Sequence, residues 1–311
     1  MEGRVNGVDL PLSRTVVPRL LWRDETASTN DDLRECVVLA NGANWPHGAA
    51  IATLAQRAGH GRLGRSWDAP RGASLAVSVL VRPSAYAGGS SVETLSWLSL
   101  VAGLAMTETV RDELARAGAD PARAALKWPN DVLVDGSHGR SPKERKISGI
   151  LCEIVVMGDG TPVVVIGAGL NIGFGQAAAP TPTATSFAME GVSPEGSPSA
   201  EVVDHLLAAY LTRLVALVSR FFDAEGDARA SGILDSVSSV CGTISRRVRV
   251  ELAGDEEVVG TAIGLDAVGR LLVRADPVHN VLAVAAGDVT HLRYYKKWLF
   301  PRFRVRLLGN P

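Results

Sequence analysis

The chain has 311 residues, a hydrophobic fraction of 46% and a formal net charge of −1, enough for one large buried core and a smaller one. Its 32 basic and 33 acidic side chains nearly cancel, which excludes nucleic acid or a membrane surface as the main partner. Cys36, Cys152 and Cys241 are widely spaced and the six histidines are dispersed, so neither a disulfide framework nor a zinc site is expected, and the composition suits a reducing, cytoplasmic setting.

Residues 1–21, with Pro11 and Pro18, show no basic region followed by an apolar one, hence no export signal, and read as a loose arm. From Trp22 to Leu39 a strand leads into a helix across ASTNDD. Ser28, Thr29 or Asn30 caps that helix, and Asp31 and Asp32 favour its positive end. Next comes GHGRLGRSW, residues 59–67, whose Gly59, Gly61 and Gly64 satisfy G-x-G-x-x-G. A dinucleotide turn needs a helix directly after its glycines and an acid about 20 residues on. Here Trp67, Pro70 and Gly72 interrupt any helix and the later position is Ser84. The stretch instead suits a glycine loop between two strands, carrying Arg62 and Arg65 over an anionic ligand. Glycine allows close backbone approach, and each guanidinium offers a planar fork of donors.

A strand follows over ASLAVSVLVRP and stops at Pro83. The apolar run WLSLVAGLAM from Trp97 falls short of the ~20 residues of a membrane span. With Leu95, Leu98, Val101, Leu104 and Ala105 at helical spacing, residues 94–116 predict a buried helix. Two hairpins come next: ALKWPNDVLVDG turns through SHGRSPKER into KISGILCEIVVM, and MGDGTP turns that strand into VVVIGAGLNIG. Strands returning on themselves through short turns give an antiparallel sheet and an α+β class. A loop rich in Ala, Pro and Thr (177–186) leads to a long helix starting at Ser197-Pro198 and running to about Phe222. From Ile244, RRVRVEL, VVGTAIGLD, RLLVRA and VLAVAAGDV alternate like a small β-barrel of about 50 residues. The division is an arm (1–21), a catalytic domain (22–237), a small barrel (238–293) and a basic aromatic tail (294–311).

In this order the chain resembles the biotin protein ligases of the BirA type. The matching segments are STN at 28–30, QRAGHGRLGRSW at 56–67, KWPND at 127–131, KISGIL at 146–151, GAGLNIG at 167–173 and TATS at 183–186. The resemblance implies a mixed, largely antiparallel sheet with helices (class II synthetase-like, the biotin/lipoate ligase catalytic domain) and an SH3-like C-terminal barrel. It implies activation of biotin by Mg-ATP to biotinyl-5'-AMP and transfer to a lysine of a biotin carboxyl carrier domain, such as that of an acyl-CoA carboxylase. Two anions must meet, so cations and backbone donors are needed at the phosphate and carboxylate. Mg2+ is expected through the ATP phosphates, with no protein metal site.

The resemblance assigns Lys146 and Arg62 as catalytic. Biotin falls to Ser28, Thr29, Asn30, Gln56, Gly59, His60, Gly61, Arg62, Trp67, Lys146, Gly149 and Gly169, and the adenylate to Arg62, Arg65, Trp67, Lys127, Asn130, Lys146, Asn171 and Arg293. Asp288, beside Arg293 in GDVTHLR, is a further candidate for supporting ATP. Gly149 and Gly169 are expected to admit the ligand to the strand backbone, and Lys127 and Asp131 are alternatively an ion pair within their hairpin. His60 departs from the common G-R-G-R pattern and introduces a group that titrates near neutrality. The 27 residues before Ser28 are too few for a winged helix-turn-helix, so a ligase without operator binding is expected, as a monomer or weak homodimer. A lipoate-attaching enzyme is the nearest alternative, and an adenylate sensor without chemistry is another.

Overall fold

The computed structural model describes residues 8–39, 44–86, 92–136, 144–251, 257–285 and 288–291. Its larger part contains helices α1 (Pro11–Val16), α2 (Thr29–Leu39), α3 (Val92–Leu95), α4 (Leu98–Arg116), α5 (Ala200–Asp223) and α6 (Ile233–Val240). Its strands are β1 (Leu20–Trp22), β2 (Ala50–Thr53), β3 (Gly59–His60), β4 (Ser66–Trp67), β5 (Ser74–Val81), β6 (Ala124–Lys127), β7 (Asp131–Asp135), β8 (Glu144–Val156) and β9 (Pro162–Asn171). The C-terminal part holds β10 (Arg247–Glu251), β11 (Glu257–Leu265), β12 (Leu271–Ala275), β13 (Val281–Val284) and β14 (Asp288–His291). These five form one antiparallel sheet in the order β13-β12-β11-β10-β14.

The main sheet has the order β1-β2-β5-β9-β8-β7-β6. Every pairing is antiparallel except β1 with β2, whose parallel crossover carries α2. Strand periodicity sorts the side chains. On β9, Val164, Ile166, Ala168 and Leu170 face the core shared with α4 and α5, whereas Val163 and Val165 pack under α2 with Leu33, Val37, Ile51 and Leu80. The same face continues past the N-terminal end of α2 as Gly167 and Gly169. Large side chains give way to none where the helix begins, and that step opens a cavity.

The N-terminal segment is not a loose arm throughout. Leu10 and Ser13 are fully buried, and the start of α1 is fixed by a carboxylate distant in sequence. Asp204 accepts from Leu12 N at 2.8 Å, Ser13 N at 2.8 Å and Ser13 Oγ at 2.6 Å, satisfying the otherwise unpaired donors of a helix start. Asp204→Ala is expected to cost ~1–3 kcal/mol, the penalty of leaving such donors buried without partners. The check is a lower urea midpoint together with faster tryptic cleavage at Arg14; equal cleavage rates would show α1 held by packing alone.

Helix α5 starts at Ala200 rather than at Ser197-Pro198. Ser199, extended at φ −68° and ψ 162°, is the cap and accepts from Val202 N, so Pro198 lies outside the helix. By length and composition α5 passes for a membrane span, yet its buried residues pack on α1 and α4. Two short helices, α3 and α6, were not resolved as such by the sequence pattern, and α6 occupies the expected domain boundary near residue 238.

Candidate active site

The cavity holds about 130 Å³ of free space beneath the loop that carries Arg62 and Arg65. Its floor is a row of small residues running across the sheet, Ala76 beside Gly169, Gly169 beside Gly149, and Gly149 beside Asp131. A methyl group added at Gly169 would lie 2.4 Å from Trp67 Cε2, and one at Gly149 would lie 3.0 Å from Trp67 Cζ3 and 2.8 Å from Lys146 Nζ. Close approach to these glycines is therefore made by the protein itself, with the Trp67 indole resting on the floor. Gly167 similarly accommodates Asn30, whose Oδ1 would be 2.3 Å from a methyl there.

Lys146 reaches this face through a bulge. On β7, Val132 pairs with Ser148 and Leu133 with Lys146, so Ile147 is an extra residue on β8. Residues three apart in a regular strand point to opposite faces; the bulge places Lys146 and Gly149 on the same one. The Lys146 ammonium is 2.6 Å from Asp131 Oδ1 and 5.2 Å from the Trp67 ring centre. Its backbone is braced by TATS, with Lys146 N donating to Thr183 O at 2.7 Å and Thr185 N to Lys146 O at 2.8 Å. Behind that segment, Glu190 accepts from Thr185 Oγ1 at 2.6 Å and Arg145 Nη2 at 2.9 Å and also pairs with Arg123.

The loop over the cavity is the β3–β4 hairpin, with Gly59 opposite Trp67 and Gly61 N donating to Arg65 O at 2.6 Å. It is not followed by a helix, in keeping with the exclusion of a dinucleotide turn. Leu63 at φ +57° and Gly64 at φ +72° turn its tip, and Arg62 and Arg65 both line the cavity. Arg62 Nη1 lies 3.5 Å from Asn130 Oδ1, while Asn130 Nδ2 donates to Ile150 O at 2.7 Å. His60 Nε2 is 2.9 Å from Asp31 Oδ2, tying the loop to α2.

At the α2 end the lining is a polar network. Gln56 Oε1 accepts from Thr29 N at 2.9 Å and Thr29 Oγ1 at 3.2 Å. Ser78 Oγ donates to Asn30 Oδ1 at 2.6 Å and lies 2.8 Å from Thr29 Oγ1, and Asn30 Nδ2 donates to Glu153 Oε2 at 2.6 Å. Ser28 Oγ accepts from Asp31 N at 3.3 Å, a helix cap. Sequence reasoning passed over Ser78 and Glu153, which lie outside every motif; the serine within an apolar strand was the available signal. Asp131 is the one carboxylate among the lining residues, and no group of three metal-ligating side chains occurs among the described residues. No cysteine lines the cavity. Burial pushes the Cys152 thiol up to about 12 and also raises Cys36 and Cys241, so these thiols stay protonated and weakly nucleophilic.

Residues 25–171 match the Biotin/lipoate A/B protein ligase family, and residues 243–292 match the Biotin protein ligase C terminal domain. The chain is 36% identical over 281 residues to the biotin--[acetyl-CoA-carboxylase] ligase of Mycobacterium tuberculosis, covering 88% of this chain and 90% of that protein. The chain belongs to the biotin protein ligases. The Aquifex aeolicus biotin protein ligase in complex with biotin and ATP shares the fold, with a TM-score of 0.63 and 22% identity over 89% of this chain and 99% of that one. The Leishmania major ligase in complex with biotinyl-5-AMP is 25% identical with a TM-score of 0.52, over 89% and 99% of the two chains.

In this biotin protein ligase, Ser28, Thr29, Asn30, Gln56, His60, Gly61, Arg62, Arg65, Trp67, Asn130, Lys146, Gly149 and Gly169 converge on one cavity, and Gly59 lies beneath it against Gln56. Two expected residues do not join them. Lys127 lines a separate cleft with Asp120, Asp135 and Arg246; although opposite Asp131 in the β6–β7 register, it does not form the expected ion pair, because Asp131 turns to Lys146. Asn171 shares the face of β9 that carries Gly167 and Gly169 but is buried past the end of the floor, donating to Thr185 O at 3.0 Å and accepting from Ser74 Oγ at 3.1 Å, where it secures TATS to β9. Arg293 and the 294–311 tail lie outside the described residues, and Asp288 opens β14.

Proposed function

We propose that the chain activates biotin with ATP and transfers it to a lysine of a carboxylase carrier domain. The observation that supports this most is one cavity with two chemically distinct ends. At the α2 end, the Gln56–Thr29–Ser78–Asn30 network suits a polar ureido ring, whose buried donors and acceptors each need a partner. At the β7–β8 end, Lys146, Arg62 and Arg65 face the place where two anions have to meet. The biotin carboxylate oxygen bonds to the α-phosphorus of ATP and pyrophosphate leaves; the carrier amine then bonds to the acyl carbon, AMP leaves and the amine proton passes to solvent. Lys146 and Arg62 lower the repulsion in the first step, the Trp67 indole covers the reacting carboxyl, and the loop excludes water that would hydrolyse the mixed anhydride. Asp131 does not provide a cage for Mg2+, so that ion is proposed to arrive on the triphosphate, where it neutralises phosphate charge.

The carrier domain, as in the acetyl-CoA carboxylase of the mycobacterial ligase's name, is proposed to dock by strand addition at a sheet edge, with the ligase a monomer or weak homodimer in the cytoplasm and without operator binding. Pyrophosphate release from Mg-ATP with biotin, with lipoate and with neither tests the reaction; release with lipoate alone transfers the chain to lipoate attachment. The glycine floor adds a second test. Gly169→Ala drives a methyl into Trp67, an overpacking of ~1–3 kcal/mol, so biotin affinity should fall about 10- to 100-fold by equilibrium titration. Unchanged affinity would place the ligand away from this floor.

A further inference from the structure

The KWPND segment is held from the C-terminal domain, and the grip centres on Trp128. Its indole is buried, and Nε1 donates to Gly269 O at 3.0 Å while its backbone N donates to Thr243 Oγ1 at 3.0 Å. Two residues earlier, Leu126 O accepts from Gly242 N at 2.9 Å, and Leu126 bridges Cys241 in parallel. The acceptor turn is itself rigid. Asp266 Oδ1 accepts from Val268 N at 3.1 Å and Arg270 N at 2.9 Å, and Asp266 Oδ2 from Arg270 Nε at 2.6 Å. The catalytic domain grips that turn twice more, through Trp97 Nε1 to Ala267 O at 2.8 Å and Ser96 Oγ to Val268 O at 2.7 Å.

Trp97 donates across the same boundary from the start of α4, a helix that does not line the cavity. Trp128 also places its donor on a carbonyl 141 residues away, but the residues it controls are the ones that count. Asn130 and Asp131 follow it directly across Pro129, and their side chains approach Arg62 at 3.5 Å and Lys146 at 2.6 Å. On its sheet side the turn is held by Asn130 N to Lys127 O at 3.2 Å, Ile150 N to Asn130 O at 2.9 Å and Asn130 Nδ2 to Ile150 O at 2.7 Å, and Trp128 supplies the restraint from the C-terminal domain. We propose that Trp128 is a positioning residue through which the C-terminal domain fixes Asn130 and Asp131, and with them the two catalytic cations, for adenylation. The proposal rests on the ligase reading above.

The test uses the full chain with Trp128→Phe, which keeps an aromatic ring and removes the donor, and Thr243→Val, which keeps the shape and removes the acceptor from the other domain. Biotin-dependent pyrophosphate release is followed well below the unfolding midpoint, and biotin binding is titrated without ATP. Trp128→Phe should lower kcat about tenfold or more with biotin affinity within about twofold, and Thr243→Val should shift kcat in the same direction. If kcat per folded molecule stays within about twofold in both variants while the melting temperature falls, the clamp is structural only. If kcat and biotin affinity fall together, the whole cavity has loosened and the proposal is equally wrong. Absence of biotin-dependent release in the unaltered chain would sink the ligase reading, and this inference with it; release there with normal kcat in the variants would sink the inference alone.

Discussion

Lys146→Ala is expected to lower biotin-dependent pyrophosphate release by about 10²- to 10³-fold, the scale set by removing one preorganised donor from a developing charge. The loss has two parts. The ammonium that would lie between carboxylate and phosphate disappears, and Asp131, 2.6 Å from it in the intact chain, is left facing two anions without its partner. Lys146→Arg should recover little, because the ammonium lies so close over Gly149 that a methyl added there would be 2.8 Å from it, and a guanidinium is wider than an ammonium. Biotin titrated without ATP separates this from a binding defect, since a loss confined to kcat marks an interaction made in the transition state. Wild-type turnover in the alanine variant would move the reaction centre away from the bulge.

Glu190→Ala should be the most destabilising of the proposed substitutions, by ~3–5 kcal/mol, as when one member of a buried ion pair is removed. The Glu190 side chain is 1% exposed and Arg145 is 6% exposed, so the orphaned guanidinium has little access to water. Glu190→Gln keeps the shape and the Thr185 contact and should cost less. Because Thr185 N also donates to Lys146 O, the alanine variant should lose activity at temperatures where most of it remains folded. Urea unfolding gives the stability; a change below ~0.5 kcal/mol, typical of surface positions, would mean that Arg123 and Arg145 find other acceptors.

Local signals carried much of this architecture. The antiparallel run from β6 to β9 was legible because each turn has its own chemistry, as in MGDGTP, and the strand faces alternate. The site was legible as a set of segments, since glycine spacing and arginines in one loop declare a ligand-facing role. Features made by contacts between distant residues were not legible. Helix α1 is short, and the Asp204 that anchors it is 191 residues from Ser13. The partner of Asp131 appeared to be Lys127, its neighbour across the hairpin, because nothing in KISGIL marks Ile147 as an extra residue. Asn171 follows Gly167 and Gly169 on the same face of β9, but it is buried there and its amide is spent on holding TATS.

The bulge gives β8 an unusual tolerance profile. In an ordinary strand, side chains can be exchanged or a residue lost near an end with effects that fade over a few positions. Here the spacing between Lys146 and Gly149 works only with the bulge: at three residues apart, plain alternation would swing the ammonium toward the helix-packed core, whereas losing Ile147 would leave the two at regular spacing on one face. Removal of Ile147 should therefore cost a fully buried core side chain and yet keep the ammonium over the floor, so the burden of a length change here falls on the core rather than on the site.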